Sequence, residues 1–149
     1  MSLIHEQLYQ SENLAEIDFQ SYTEELVSFL SEIYLSAEDR VDITVRAEGI
    51  YLGVDKAIPC GLIVNELVSN SFKYAFPGRP KQGRIQLTMN SGNSYLLTVE
   101  DSGVGLGEKL EDLKGRGLGY QLVEALSEQM EGNLEIESDG GLRVTVTFP

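Results

Sequence analysis

The sequence is poor in cysteine, poor in basic residues relative to acidic ones, and without a long apolar segment. Its one cysteine, Cys60, allows no internal disulfide, and the apolar run around it predicts a buried, inert thiol rather than a reactive one. Eleven Lys and Arg against 24 Asp and Glu give a net charge of −13. That charge argues against a general nucleic-acid binder and against docking on anionic membrane. No apolar stretch reaches the ~18 residues of a membrane span and no signal peptide is recognisable, so a reducing, cytoplasmic setting fits.

The length and composition are those of one folded domain. A chain of 149 residues is close to the usual size of a single domain and is long enough to bury a core. Hydrophobic residues make up 42% of the sequence and charged residues 23%, which is ordinary for a globular protein.

Hydrophobic periodicity predicts an α/β fold with strand pairs on one side and helices on the other. Residues 3–11 have the pattern of a helix end, and Ser21 with Glu24 forms a capping-box pattern before a helix over 22–34. The other predicted elements are an extended piece over 15–19, strands over 41–47, 50–54, 84–89, 95–100, 134–138 and 142–148, and helices over 56–75 and 118–130. Their order predicts a two-layer sandwich in which helices cover one face of a mixed sheet.

The chain is organised around a first motif, residues 65–74, inside the predicted central helix. Glu66, Asn70 and Lys73 are spaced at i, i+4 and i+7, so they share one helix face. An amide oxygen suits Mg²⁺, an ammonium suits phosphate, and a carboxylate can act as a base or hold a metal-bound water. The alternative is a helix whose polar edge simply faces solvent.

A second motif, residues 101–106, follows a predicted strand directly. Gly103 and Gly105 allow a sharp turn and a close approach of the backbone to a ligand. The Asp101 carboxylate can accept a hydrogen bond from an exocyclic amine such as that of adenine. Guanine presents an oxygen there, so Asp101 would favour ATP over GTP. The alternative is a glycine turn in an ordinary loop.

A third motif, residues 115–120, runs into a predicted helix. Free N–H groups at a helix N-terminus bind phosphate, and glycines let it approach. No convincing strand precedes the motif, which excludes a dinucleotide-binding fingerprint. Lys114 and Arg116 are candidate phosphate contacts, although a solvated charge run is the alternative. The segment between the second and third motifs has the composition of a short lid.

In this order, the three motifs resemble those of the ATP-binding domain of sensor histidine kinases. That domain belongs to the GHKL superfamily, which also includes gyrase, MutL and the large heat-shock chaperone ATPases. Residues 65–75, NELVSNSFKYA, resemble the N box, DSGVGL resembles the first glycine box, and GRGLG resembles the second. Residues 3–22 resemble the end of the dimerisation region and the start of the catalytic domain in the subfamily related to the HWE kinases. That subfamily has a short lid and lacks the phenylalanine box.

The resemblance implies a fold, ligands and residue roles. The fold is the Bergerat α/β sandwich, and the ligands are ATP and Mg²⁺. Glu66 would be the general base or water-orienting carboxylate, and Asn70 the Mg²⁺ ligand. Lys73 would contact phosphates and Tyr74 would pack on adenine. The remaining implied nucleotide contacts are Asp101 with Gly103 and Gly105 at the adenine, and Lys114, Gly115, Arg116, Gly117, Leu118 and Gly119 in the lid hinge and phosphate cradle.

The chain departs from the family pattern in its final hairpin, and its one histidine resembles a phosphoacceptor without the expected surroundings. The family often has Gly-Thr in the final hairpin, where this chain has Gly141-Leu142, so a hydroxyl is missing there. His5 is followed by Glu6, a pair found at the phosphoacceptor of many histidine kinases. A phosphoacceptor should precede a long helical hairpin, whereas only about a dozen residues separate His5 from the first predicted strand. We therefore expect His5 to be an ordinary residue and the acceptor to lie upstream.

These features lead to one main functional prediction. Residues 1–14 would end a dimerisation-region helix, and 15–149 would form the catalytic ATP-binding domain of a two-component histidine kinase. Its partners would be its own dimerisation domain as a homodimer and a response regulator, and this stretch alone would be inactive. The alternatives are an anti-sigma-type serine kinase that sequesters a partner, and a degenerate domain that binds nucleotide without catalysis. Intact Glu66 and Asn70 argue against the degenerate domain.

Overall fold

A five-stranded mixed sheet forms one layer of the protein. The computed structural model describes residues 16–104 and 118–149. The strands of this sheet are β2 (Arg40–Arg46), β4 (Gln82–Ser91), β5 (Tyr95–Asp101), β6 (Asn133–Ser138) and β7 (Leu142–Phe148). Their order is β2-β4-β5-β7-β6, with β2 parallel to β4 and every other pair antiparallel. The two predicted hairpins, β4–β5 and β6–β7, are confirmed.

Helices form the second layer and cover one face of the sheet. They are α1 (Phe19–Tyr34), α2 (Val54–Asn70), which continues as a π-helical turn over Ser71–Ala75, and α3 (Leu118–Gln129). A small antiparallel ribbon, β1 (Ile17–Asp18) with β3 (Tyr51–Leu52), lies beside α1. Alternate side chains of β4, β5 and β7 are buried under the helices, among them Leu87, Val99 and Val144. The predicted two-layer α/β sandwich is therefore confirmed. Within the described ranges no helix is long and apolar enough to cross a membrane.

The start of α1 differs from the sequence prediction. The helix begins at Phe19, three residues earlier than expected, and Asp18 is its N-cap. Asp18 Oδ1 accepts hydrogen bonds from the backbone N–H groups of Gln20 at 3.1 Å and Ser21 at 3.4 Å. These bonds satisfy the first free donors of the helix, which is the function of a cap. The predicted cap at Ser21 is wrong, because that residue already lies in the first turn.

The end of the central helix also differs from a regular α-helix. The π-helical turn begins directly after Asn70, whereas the prediction had one continuous helix to Ala75. Lys81 Nζ donates to the Phe72 carbonyl oxygen at 2.9 Å, which fixes this turn to the start of β4. The Phe72 ring also stacks on Tyr34 at the end of α1, with ring centroids 5.7 Å apart. Single-turn π segments inside α-helices are frequent at functional sites.

Residues of α2 are tightly packed against the elements around them. Cys60 is fully buried, and burial raises the pKa of its thiol to about 12, in agreement with the predicted inert cysteine. The Tyr22 ring lies against Gly61, and its buried hydroxyl has no hydrogen-bond partner among the described residues. Burial also raises the pKa of the Tyr22 hydroxyl, so the group stays neutral.

We expect Gly61→Ala to destabilise the fold. A Cβ at this position would lie 2.5 Å from Tyr22 Oη and 2.8 Å from Cε2, and Tyr22 is only 2% exposed and has no space to retreat. Overpacking of this kind costs ~1–3 kcal/mol, partly offset by the better helix propensity of Ala. Urea unfolding would measure the change, with Gly92→Ala as the control because a Cβ there meets nothing within 4 Å. Equal stability of the two variants would contradict the expected clash.

Candidate nucleotide-binding site

The last turn of α2 and the first turn of α3 meet without a side chain between them. A Cβ placed on Gly119 would lie 2.8 Å from Glu66 Oε2 and 3.1 Å from Asn70 Nδ2. The glycine therefore permits an approach that any other residue would obstruct. The structure thus brings Glu66 and Asn70 of the first motif against Gly119 of the third. Gly119 is the second residue of α3, so the first turn of this helix lies at the same place.

Asp101 of the second motif is held against the other end of the first motif. Its carboxylate is buried and accepts three hydrogen bonds. Gly103 N and Leu142 N donate to Oδ1 at 3.0 and 3.2 Å, and Ser71 Oγ lies 2.8 Å from Oδ2. An ionised carboxylate is an acceptor only, with capacity for about four hydrogen bonds, so Asp101 retains room for one more donor.

The loop after β5 packs directly on the π-helical turn. The backbone N–H of Val104 donates to Ala75 O at 3.0 Å. A Cβ on Gly103 would overlap Ala75, whose carbonyl oxygen and Cβ both lie within 2.5 Å of that position. Gly103 is therefore required for this contact, which fixes the second motif relative to the first.

The structure gives Lys73 and Tyr74 different surroundings from the rest of the first motif. Lys73 Nζ lies 5.9 Å from the centroid of the Tyr34 ring, within the range of a cation–π contact. The prediction of one shared face with Glu66 and Asn70 assumed a continuous α-helix, and the π-helical turn changes the direction of every later side chain. Tyr74 is 41% exposed. Their phosphate and adenine contacts stay predictions.

Several predicted site residues lie outside the part of the chain that the structure describes. They are Gly105, Lys114, Gly115, Arg116 and Gly117. Leu118 begins α3, but its side chain is likewise outside the described part. His5 and the rest of residues 1–15 are also outside it.

The donor atoms beside Gly119 fit a hard divalent cation. Glu66 supplies a carboxylate and Asn70 an amide, and both are oxygen donors of the kind that Mg²⁺ prefers. The described residues contain no group of three His, Cys, Asp or Glu side chains that could hold a metal ion on its own. Mg²⁺ usually takes one or two protein ligands and completes its shell with substrate phosphates and water. The residues present suit that mode of binding.

Two contacts at the site were missed by sequence reasoning. The motif spacing gives Ser71 no role, although its hydroxyl is the donor to Asp101 Oδ2. Leu142 has no side-chain hydroxyl, yet it contacts Asp101 through its backbone N–H. Every residue except proline has a backbone N–H, so residue type does not predict such a contact. The missing hydroxyl at Leu142 therefore leaves the backbone hydrogen bond to Asp101 intact.

Comparison with known proteins decides the family. A family model described as histidine kinase-, DNA gyrase B- and HSP90-like ATPase matches residues 55–149, which contain all three motifs. The chain belongs to this family. A second model, described as histidine kinase, matches residues 1–34. The two matches together identify the ATP-binding domain of a histidine kinase of the HWE-related type, as the resemblance implied.

Relatives of this histidine kinase domain are named histidine kinases. Blue-light-activated histidine kinase 2 of Erythrobacter litoralis is 28% identical over 78% of this chain and 34% of its own length. Sensor histidine kinase PdtaS of Mycolicibacterium smegmatis is 24% identical over 100% of this chain and 30% of its own length. The chain therefore spans about a third of the length of these curated relatives.

Solved structures confirm the Bergerat-type sandwich. The histidine kinase domain of an Erythrobacter litoralis blue-light-activated histidine kinase superposes with a TM-score of 0.84 at 25% identity. The match covers 99% of this chain and 70% of that one. The catalytic domain of histidine kinase ThkA gives a TM-score of 0.71 at 16% identity over 90% of this chain and 94% of that one, which shows a shared fold.

Proposed function

We propose that this ATP-binding domain uses Mg²⁺ and transfers the γ-phosphoryl group of ATP to a histidine of a dimerisation domain, for relay to a response regulator. The observation that carries the proposal is the convergence of two sites on one helical segment. Asp101 is hydrogen-bonded at Ser71, whereas Asn70, the preceding residue, and Glu66, about one turn before it, lie against Gly119. ATP needs one site for its adenine and a neighbouring site for its phosphates, and one helical segment contributes to both groups of residues.

The adenine end of the site is built by the second motif. The Asp101 carboxylate accepts the exocyclic amine, and Gly103 and Gly105 shape the loop around the ring. Tyr74 packs on adenine from the first motif. Asp101 is buried and already accepts from Gly103 N, Leu142 N and Ser71 Oγ, so its orientation is set before the nucleotide arrives. Such preorganisation favours an amine over the oxygen that guanine presents.

The phosphate end is built by the first and third motifs. Asn70 holds Mg²⁺, which neutralises charge on the phosphates when bound. Lys73, Lys114 and Arg116 contact the phosphates, and the backbone of Gly115, Gly117, Leu118 and Gly119 forms the cradle. The imidazole nitrogen of the acceptor attacks the γ-phosphorus, ADP leaves, and the Glu66 carboxylate takes the imidazole proton. Transfer of this kind depends chiefly on positioning and charge neutralisation.

The proposal assigns residues 1–14 to the end of a dimerisation-region helix and residues 15–149 to the catalytic domain. The acceptor histidine then lies on a part of the protein upstream of this sequence, and this stretch alone does not autophosphorylate. The whole protein is a homodimer through that region, and the domain works in the cytoplasm, where ATP is available.

Binding of ATP and GTP, with and without Mg²⁺, tests the nucleotide site, and Asp101→Asn tests its selectivity. In the variant, the side-chain oxygen can keep both backbone donors while the new NH₂ group takes the place of Oδ2. Ser71 Oγ can then accept instead of donate, so the fold is retained. The NH₂ group is a hydrogen-bond donor, so it cannot accept from the adenine amine but can donate to the guanine oxygen. Calorimetry should therefore give ATP binding weakened by about 10- to 100-fold and a collapsed ATP-over-GTP preference.

Glu100→Gln is the matched control for this experiment. It removes one carboxylate from the neighbouring position of β5, where Glu100 pairs with the exposed Arg143 at 3.0 Å. This control should bind both nucleotides as the unchanged protein does. A selective wild-type domain whose preference survives Asp101→Asn would refute the adenine contact, and a wild-type domain that binds neither nucleotide would refute the proposed site.

A further inference from the structure

We propose that Ser71 is a positioning residue that fixes the adenine-facing oxygen of Asp101 and thereby sets the preference for ATP over GTP. In this chain its hydroxyl is the side-chain donor to the carboxylate, whereas Leu142 contributes only its backbone N–H. The inference rests on the proposed function, since it concerns the same nucleotide site. It adds a specificity-determining residue that the motif resemblance does not assign.

The two oxygens of Asp101 are held in different ways. Oδ1 accepts from two backbone N–H groups, those of Gly103 and Leu142, at 3.0 and 3.2 Å. Within the described part of the chain, the donor to Oδ2 is the Ser71 hydroxyl, 2.8 Å away. Without that hydroxyl the carboxylate can pivot about its anchored Oδ1. Ser71 therefore controls the direction in which Oδ2 presents its remaining lone pair.

Ser71 is itself firmly placed. It is the first residue of the π-helical turn and only 5% exposed. Its backbone N–H is hydrogen-bonded to the carbonyl oxygens of Leu67 and Val68. A serine side chain has one rotatable bond to its oxygen, so a fixed backbone in a packed interior leaves the hydroxyl few positions. The hydroxyl therefore fixes the orientation of the Asp101 carboxylate relative to the first motif.

Among the described residues, the final hairpin offers Asp101 no side-chain donor in this chain. Leu142 lies directly opposite Asp101 in the β5–β7 register. Leu142 keeps its N–H contact to Oδ1 but has no side-chain donor. The donor to the carboxylate comes instead from Ser71, 30 residues before Asp101 in sequence.

Three variants test the inference by the ratio of ATP to GTP dissociation constants. Ser71→Ala should lower the preference for ATP by roughly tenfold, the loss expected for one hydrogen bond to a charged group. Ser71→Thr keeps a hydroxyl and should restore the preference. Ser71→Ala with Leu142→Thr places a hydroxyl on the opposite side of the carboxylate and should recover part of it. Thermal unfolding of each variant checks that the fold is retained.

The outcomes separate this inference from the proposed function. A wild-type domain that does not select ATP would overturn both. A selective wild-type domain whose ratio is unchanged by Ser71→Ala would overturn the inference alone. Ser71→Ala that weakens ATP and GTP equally would also overturn it, because a merely structural serine would act on both nucleotides. A lower ratio in Ser71→Ala, with recovery in either hydroxyl-bearing variant, supports the positioning role.

Discussion

Asn70→Ala should remove most of the Mg²⁺-dependent part of ATP affinity while leaving the domain folded. Asn70 is the last residue of α2, and its amide lies beside Gly119 and the Glu66 carboxylate. Alanine keeps the helix but offers no oxygen to a cation. Loss of a partner in a metal's outer shell typically costs 10- to 100-fold in affinity, and loss of a direct ligand should cost at least about as much. Calorimetric titration with ATP, in Mg²⁺ and again in EDTA, measures the change.

The comparison between the two conditions is what makes this test specific. In EDTA the variant and the wild-type domain should bind ATP with similar, weak affinity, because neither uses a metal. Asn90→Ala is the control, since Asn90 is exposed on β4 and the same amide is lost there. Unchanged Mg²⁺ dependence in Asn70→Ala would rule out the metal contact.

The strands of the sheet were predictable because their patterning is local. β7 alternates buried side chains with exposed or partly exposed ones along its whole length, and its bounds Leu142–Phe148 agree with the prediction. The parallel pairing of β2 with β4 was not predictable in the same way. Its register, with Ile43 opposite Ile85, joins strands separated by the whole of α2, and side-chain period alone does not encode such a pairing.

The start of α1 shows how a distant contact decides between two local signals. Asp18 and Ser21 are both good N-cap residues, and the Ser21–Glu24 spacing favours the later one. In the fold, Ile17 pairs with Leu52 in the β1–β3 ribbon, which ends the extended segment at Asp18. The helix can then begin at once, and Asp18 caps it.

At the site, the sequence predicted only part of the geometry. Helical spacing correctly put Glu66 and Asn70 side by side, and both lie against Gly119. The π-helical turn that follows is set by tertiary contacts, including the hydrogen bond from Lys81 to Phe72 O, and periodicity does not reveal it. The Ser71–Asp101 bond likewise depends on how α2 lies over β5.

Glu66→Gln should abolish phosphoryl transfer far more than it weakens ATP binding. Glutamine has nearly the same shape and keeps an oxygen beside Asn70 and Gly119, so the nucleotide site stays formed. It cannot take the proton that the attacking imidazole must lose. Loss of a general base costs about 10²–10⁴-fold in rate. The measurement is phosphohistidine formation from radiolabelled ATP by a protein that carries this domain together with its acceptor histidine.

The ATP dissociation constant of the same variant decides how the loss is interpreted. It should remain within about threefold of the wild-type value if Glu66 acts on the transfer step, since an effect confined to the transition state leaves ground-state binding intact. Glu32→Gln, an exposed carboxylate of α1, controls for the change in net charge. A parallel loss of binding and transfer would make Glu66 a nucleotide ligand, and full transfer would exclude it as the base. Glu66 and Asn70 both lie beside Gly119, so their positions alone do not separate the two roles. A loss of ATP affinity in Asn70→Ala, together with a loss of transfer rate but not of affinity in Glu66→Gln, would separate the metal ligand from the base.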